Sequence, residues 1–314
     1  IAVLMDRRGA LRAMVEQLLA TDPTSAEALY ASGSLKGLID NDLNGAVRDL
    51  TEAARLAPGS SGIWNALGLA EYARDANLEA EAAYRRGIAE DPYNPVPYAN
   101  LATVLLDQSR VREAGQLIDK ALELDPSLDA AYTAKGRYYL QTGDMTKALE
   151  NVLAGSAANP ASAQALLMTA IVQYQSGDLQ VAAQAFDNAD RLDKNDPVTS
   201  IARTAIAIDQ RDADAAILNA REAVRRYRNR GGFFSALAAT RTGGSYLGDA
   251  YRLLGLDEWA RFYTDRVADP FTAVSYFDYS AVRRTRPFFT LSTLDELNGA
   301  EHADVAGNFV IQGL

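Results

Sequence analysis

The feature that most constrains this chain is a spacing. Prolines close acidic or polar runs at Pro23, Pro58, Pro92, Pro126 and Pro160, at intervals of 35, 34, 34 and 34 residues. Self-similarity at such a period marks an array of short supersecondary units, none of which buries its apolar face alone. Each interval holds two apolar segments at helical spacing, as in Tyr98, Leu101, Ala102 and Leu105 followed by Ala114, Leu117, Ile118, Ala121 and Leu122. A Gly and a polar residue separate the two segments, most clearly Gly143-Asp144 and Gly177-Asp178, and a stop such as Leu124-Asp125-Pro126 ends the second. The spacing therefore predicts pairs of amphipathic helices and an all-α chain.

Within the unit from Asp129 to Ser162 the recurring positions are Tyr132, Gly136, Tyr139, Gly143, Ala148, Gly155 and Pro160. The unit from Ser61 to Asn94 has Trp64, Leu67, Gly68, Ala80, Tyr84, Gly87 and Pro92. This pattern resembles the tetratricopeptide repeat. Small residues are needed where two helices of a unit cross closely, large ones fill the space between units, and Pro ends the second helix because it lacks an N–H donor. Further units run from Ala26 to Pro58, Pro95 to Leu128, Ala163 to Asp196 and Pro197 to about Tyr227. The spacing of 35 in the first of these demands one inserted residue, at the turn between its helices. The expected fold is an all-α tetratricopeptide-repeat solenoid, a superhelix of stacked antiparallel helix pairs with a short non-repeat extension at its end.

The edges set the expected domains. Residues 1–230 read as the array, with 1–23 a unit cut in half ahead of six full ones. Residues 231–270 read as an insertion, through Gly231-Gly232 and Gly243-Gly244, and a degenerate seventh unit carrying Leu247, Gly248, Tyr251, Gly255 and Ala260 and closing at Pro270. Residues 271–314 are aromatic-rich (Phe271, Tyr276, Phe277, Tyr279, Phe288, Phe289) and lead into Asn308-Phe309-Val310-Ile311-Gln312-Gly313, a strand-like run. That run is read as the start of a further domain, and the chain as a fragment of a longer protein.

Composition narrows the chemistry. The 314 residues include no Cys and one His, His302, so thiol catalysis, disulfides and Cys- or His-rich metal sites are excluded. The formal charge of −10, from 31 Lys and Arg against 41 Asp and Glu, argues against general binding to nucleic acid. No apolar run approaches the roughly 18 residues of a membrane span, so none is expected in this stretch. The chain begins at Ile1 rather than Met, and any targeting segment is expected to lie outside these residues. Only five basic residues are Lys, and Ala is abundant, a usage associated with GC-rich bacterial genomes. A bacterial periplasmic or cell-envelope location is expected, with the cytoplasm left open.

The resemblance implies a concave wall formed by the first helix of each unit, where the family binds peptides or protein segments. The register places Tyr30, Asn65, Tyr72, Thr103, Asp107, Thr133, Arg137, Gln141, Gln164, Tyr174, Gln175 and Asp209 on it. Tyr gives contact area at low entropic cost, and Gln, Asn and Thr bond to backbone amides, a mixture suited to an extended peptide. Chaperone-binding relatives hold a C-terminal carboxylate with a Lys, Asn and Arg clamp; this sequence offers only Arg137 there, so that role is not expected.

A second candidate is the cluster Arg221, Arg225, Arg226, Arg228 and Arg230. It reads either as cations complementing a helix C-terminus or as a patch for an acidic protein or a polysaccharide. Arg283, Arg284 and Arg286, beside the aromatic stretch, raise the same alternative. Asp40-Asn41-Asp42-Leu43-Asn44-Gly45 copies half of a calcium loop, but Thr51 stands where the bidentate Glu belongs and Glu52 is one place late. Turn chemistry accounts for Asp40, Asp42 and Asn44 without a metal. No phosphate loop or catalytic constellation is present, so neither a cofactor nor enzyme activity is expected. The expected function is a protein-interaction scaffold. The alternative is a periplasmic repeat superhelix of an exopolysaccharide-export or other outer-membrane machine, leading into a β-barrel.

Overall fold

The structure is a computed structural model and describes residues 8–229 except 41, 75 and 195, together with residues 251, 254–256, 258 and 260. Among the described residues, thirteen α-helices run between Arg8 and Asn229. Helix α1 is Arg8–Thr21, and six pairs come after it. They are α2 (Ala26–Leu35) with α3 (Leu43–Leu56), α4 (Ser61–Ala73) with α5 (Asn77–Glu90), and α6 (Pro95–Asp107) with α7 (Val111–Leu124). Next come α8 (Asp129–Thr142) with α9 (Met145–Ala158), α10 (Ala163–Gln175) with α11 (Leu179–Leu192), and α12 (Pro197–Asp209) with α13 (Ala213–Asn229). Backbone contacts divide the chain into two compact units, 1–169 and 170–314.

The helix ends are written in the sequence. Ser25, Ser60, Asn94 and Asp196 accept backbone N–H bonds as N-caps of first helices, and Pro95 and Pro197 occupy the first turn, where no donor is lost. Among the second helices, Asp42, Asp144 and Asp178 cap α3, α9 and α11, whereas α5 and α7 start after Ala76 and Arg110 without a side-chain cap. Gly143 and Gly177 take the left-handed turn before α9 and α11, at φ +83° and +86°. The prolines then tie one unit to the next. Trp64 Nε1 donates to the Pro58 carbonyl at 2.7 Å, and Tyr98 OH donates to that of Pro92 at 3.2 Å.

The inserted residue of the first repeat is absorbed without disturbing the later helices. Lys36–Asp40 forms a π-turn at the end of α2, and Asp42 N reaches back to the Lys36 carbonyl at 2.9 Å. Ser32 and Lys36 both donate to Asp49 on α3, at 2.6 and 2.5 Å, and hold this turn against its partner helix.

The core of the first compact unit rests on close crossings. A Cβ at Gly33 would lie 2.6 Å from Leu50 Cγ, one at Gly68 would lie 2.5 Å from Tyr84 Cε1, and one at Gly136 would overlap Val152 Cγ1. Ala46, Ala80 and Ala148 are fully buried at the corresponding places on the second helices. Between crossings, Tyr84, Leu101, Val104, Leu105, Leu106 and Ile118 form one continuous apolar cluster. The expected division of labour between small and large residues is what the packing shows.

Candidate functional site

The first helices carry polar groups that join one repeat to the next. Tyr72 on α4 donates its hydroxyl to Asp107 Oδ2 on α6 at 2.7 Å, and Arg137 on α8 donates to the other oxygen, Oδ1. Three successive first helices thus meet on one carboxylate. Asp107 and Arg137 are only 3% and 5% exposed. Burial, and next the charge of Asp107, push the Tyr72 hydroxyl well above its ordinary pKa, so it stays protonated and donating. Gln141 Nε2 adds a bond to the Leu106 carbonyl at 3.1 Å.

These positions therefore differ from the solvent-facing wall that the register implied. Arg137 already holds a carboxylate, which removes it as the last element of a carboxylate clamp. Thr133 is buried and bonds back to the Asp129 carbonyl, as Thr103 does to that of Ala99. Tyr30 and Gln164 are exposed, and Asn65 is half-buried. Asn65 accepts from Asn100 Nδ2 at 2.9 Å, 35 residues on. Asn100 was not among the expected residues; it stands one place past the position equivalent to Asn65 in the next repeat.

In the second unit Tyr174 donates to Asp209 Oδ2 at 3.2 Å, also across 35 residues. Burial, then the charge of Asp209, push this hydroxyl up to about 12. Both amide atoms of the Gln175 side chain are buried with no hydrogen-bond partner among the described residues.

The arginine cluster is largely engaged within the fold. Arg226 donates to Asp190 at 2.6 Å, to the Asp196 carbonyl at 3.0 Å and to Glu222 at 2.8 Å, with its side chain 11% exposed. Arg225 also pairs with Glu222, and Arg221 donates to Tyr251 OH at 2.8 Å. The side chain of Arg228, and the whole of Arg230, lie outside the described residues, as do Arg283, Arg284, Arg286, His302 and the stretch 271–314. The barrel-strand expectation falls on that stretch.

Glu222 gives this end of α13 a pH dependence. The side-chain bond from Arg225 is the largest influence, opposed by burial and reinforced by Arg226, and it holds the carboxyl down to about 2 from 4.5. A depressed folded-state pKa contributes stability that is complete above the unfolded value and is lost as pH falls through the folded one. The thermal midpoint of the wild type should therefore drop as pH falls from about 4.5 towards about 2. Glu222→Gln should make that acid limb shallower, and calorimetry across this range checks it.

The half calcium loop is used as a turn. Asp42 accepts from Gly45 N at 2.9 Å, Asp40 pairs with Arg12, and Asn44 Oδ1 accepts from Arg74 at 3.4 Å. Among the described residues no group of three or more His, Cys, Asp or Glu side chains is placed to hold a metal ion. No helix among them is long and apolar enough to cross a membrane.

Helix pairs recurring every 34 or 35 residues, with side-chain bonds joining one pair to the next, define a helical-repeat protein of the solenoid class. The tetratricopeptide-repeat family model matches residues 40–95, 99–154 and 133–197, and the chain is a tetratricopeptide-repeat protein. Mitochondrial import receptor subunit TOM70 of Homo sapiens is 27% identical over 183 residues, 56% of this chain and 30% of that protein. Its Rattus norvegicus counterpart is 26% identical over the same shares. The chain thus spans 30% of the length of these curated relatives. Among solved structures, the APC/C hetero-tetramer Cut9–Hcn1 superposes with a TM-score of 0.58 at 16% identity, over 75% of this chain and 46% of that one. The human IFIT1 dimer with PPP-AAAA gives 0.56 at 17% identity, over 81% and 67%. At these identities the likeness is one of fold.

Proposed function

We propose that the protein is an interaction scaffold that holds an extended segment of a partner protein against the first helices of its first compact unit. The observation that supports this reading most is the set of bonds between successive first helices. Asn65–Asn100 and Tyr72–Asp107–Arg137 fix α4, α6 and α8 to one another through side chains. A partner meeting such a surface loses little ordering entropy on the protein's side. Tyr30 is exposed on the preceding first helix and offers aromatic area, and Asn65, Asn100 and Thr103 are half-buried polar groups on the braced helices that suit backbone amides.

The test is a selection of unstructured peptides displayed on phage against the whole chain, with the enriched peptides then measured on variants. Tyr30→Ala with Asn65→Ala and Asn100→Ala should weaken them by roughly tenfold or more, the loss expected from removing a hot-spot group. Leu78→Ala with Tyr93→Ala removes two highly exposed side chains outside the first helices and should leave affinity unchanged. Equal binding to the triple variant, or loss confined to the Leu78 and Tyr93 control, overturns the assignment.

A further inference from the structure

The two compact units contain the same Tyr–Asp pair in two different states. Tyr72 and Tyr174 are each the twelfth residue of their helices, α4 and α10, and Asp107 and Asp209 each end α6 and α12. Both hydroxyls donate to Oδ2 across 35 residues. In the first unit the second carboxylate oxygen is met by Arg137, and the trio is buried or half-buried. In the second unit Asp209 is exposed, and among the described residues no cation pairs with it; Arg211, two residues on, forms no ion pair with it. In the sequence, the place that corresponds to Arg137 by register with Tyr251 is not basic. Leu256 N bonds to the Tyr251 carbonyl as Asp144 N does to that of Tyr139, and the residue two before Tyr251 is Asp249, where Arg137 stands two before Tyr139.

The crease beside this pair has changed in the same sense. In the first unit the crease between α5 and α7 is bridged by Arg110 to Glu81 at 2.7 Å and by Arg85 to Glu113 at 2.7 Å. The equivalent places between α11 and α13 are Ala183, Asp187, Asp212 and Ala215, so both bridging arginines and both glutamates are gone. What remains is a cleft of about 270 Å³ whose walls include Tyr174, Leu179, Ala182, Phe186 and Ile206. Its volume falls just below the roughly 300 Å³ at which small-molecule pockets begin, the scale of one or two side chains. Arg203 stands on its wall but is engaged with Asp187 at 2.7 Å and lies over the Phe186 ring. Tyr174 is shared: its hydroxyl holds Asp209 and its ring lines the cleft.

We propose that Asp209 and the adjoining cleft form a receptor for a basic residue next to a large apolar one on a partner peptide. The partner's cation takes the place that Arg137 takes on Asp107, and its apolar neighbour enters the cleft. The buried trio of the first unit is the internal template for this contact. The proposal rests on the reading of the protein as a peptide-binding scaffold, but it uses a different surface and is tested separately.

The probe is a synthetic capped peptide with Arg-Leu in a Gly-Ser frame, titrated by calorimetry into the whole chain. Two companion peptides replace Arg by neutral citrulline or Leu by Ser. The Arg-Leu peptide should bind at least about tenfold more tightly than either companion. Asp209→Asn should remove the preference for Arg over citrulline, while Asp212→Asn, a neighbouring acid that caps α13, should leave it intact. Asp209 is exposed, so its variant should keep the wild-type thermal midpoint. The triple variant at Tyr30, Asn65 and Asn100 should bind the Arg-Leu peptide as the wild type does; if it does not, the peptide uses the first unit and this proposal fails while the scaffold reading stands. Equal affinity for Arg and citrulline, or a preference that survives Asp209→Asn, also overturns it.

Discussion

Arg137→Ala is expected to cost about 3–5 kcal/mol of stability, measured as a shift in urea unfolding with the slope unchanged. The loss comes less from the missing attraction than from what is left behind. Asp107 would be left at 3% exposure with the Tyr72 hydroxyl as its side-chain donor and no cation on its second oxygen. Asp107→Ala should be as damaging for the reciprocal reason, because it takes the carboxylate away from a guanidinium at 5% exposure. Replacing both, as Asp107→Leu with Arg137→Met, should recover most of the loss, since apolar groups of similar volume commonly match a buried ion pair. Tyr72→Phe leaves the pair intact and removes one bond to a charged acceptor, which sets its cost at about 1.5–3 kcal/mol. Failure of the double variant to recover would mean that the trio's contribution is geometric rather than electrostatic.

Tyr84→Ala is expected to be comparably severe, about 3–5 kcal/mol. Tyr84 is 1% exposed and lies in the cluster that joins α5, α6 and α7, so truncation opens a cavity that rigid helices close only in part. Its ring also rests on Gly68, and the reverse change is informative. Gly68→Ala places a methyl 2.5 Å from Tyr84 Cε1, against a buried ring with little room to retreat, and overpacking of this kind costs about 1–3 kcal/mol. Combined with Tyr84→Ala, the added methyl meets space instead of a ring. The double variant should then be more stable than the sum of the two losses predicts, by a coupling of about 0.5–3 kcal/mol. Thermal or urea unfolding of the four-membered set measures it.

The fold was legible because its determinants repeat. The units expected to begin at Ala26, Ser61, Pro95, Asp129, Ala163 and Pro197 begin there, each the first residue of a helix. Caps, left-handed glycines and closing prolines act within a few residues of themselves, so a single sequence exposes them. The polar surface was less legible. Asp107 and Arg137 occupy wall positions within a helix, but their burial depends on what the neighbouring repeat places opposite them. Register inside one unit carries no such information. The signal that does carry it is a pairing one residue longer than the 34-residue repeat: Tyr72 with Asp107, Tyr174 with Asp209, and Asn65 with Asn100 are each 35 apart. Arg226 misleads for the same reason, since its partners Asp190 and Asp196 belong to the preceding repeat.

The π-turn at Lys36–Asp40 shows how this architecture handles a miscounted length. In a β-sheet a one-residue slip turns every later side chain to the opposite face. Here the surplus is taken up within a single corner, Asp42 restarts the count as the cap of α3, and every downstream helix keeps its phase. Insertions and deletions at these corners are therefore invisible to the rest of the stack. The corners are the joints at which an array of this kind can be lengthened, trimmed or spliced by genetic accident while its interior stays the same.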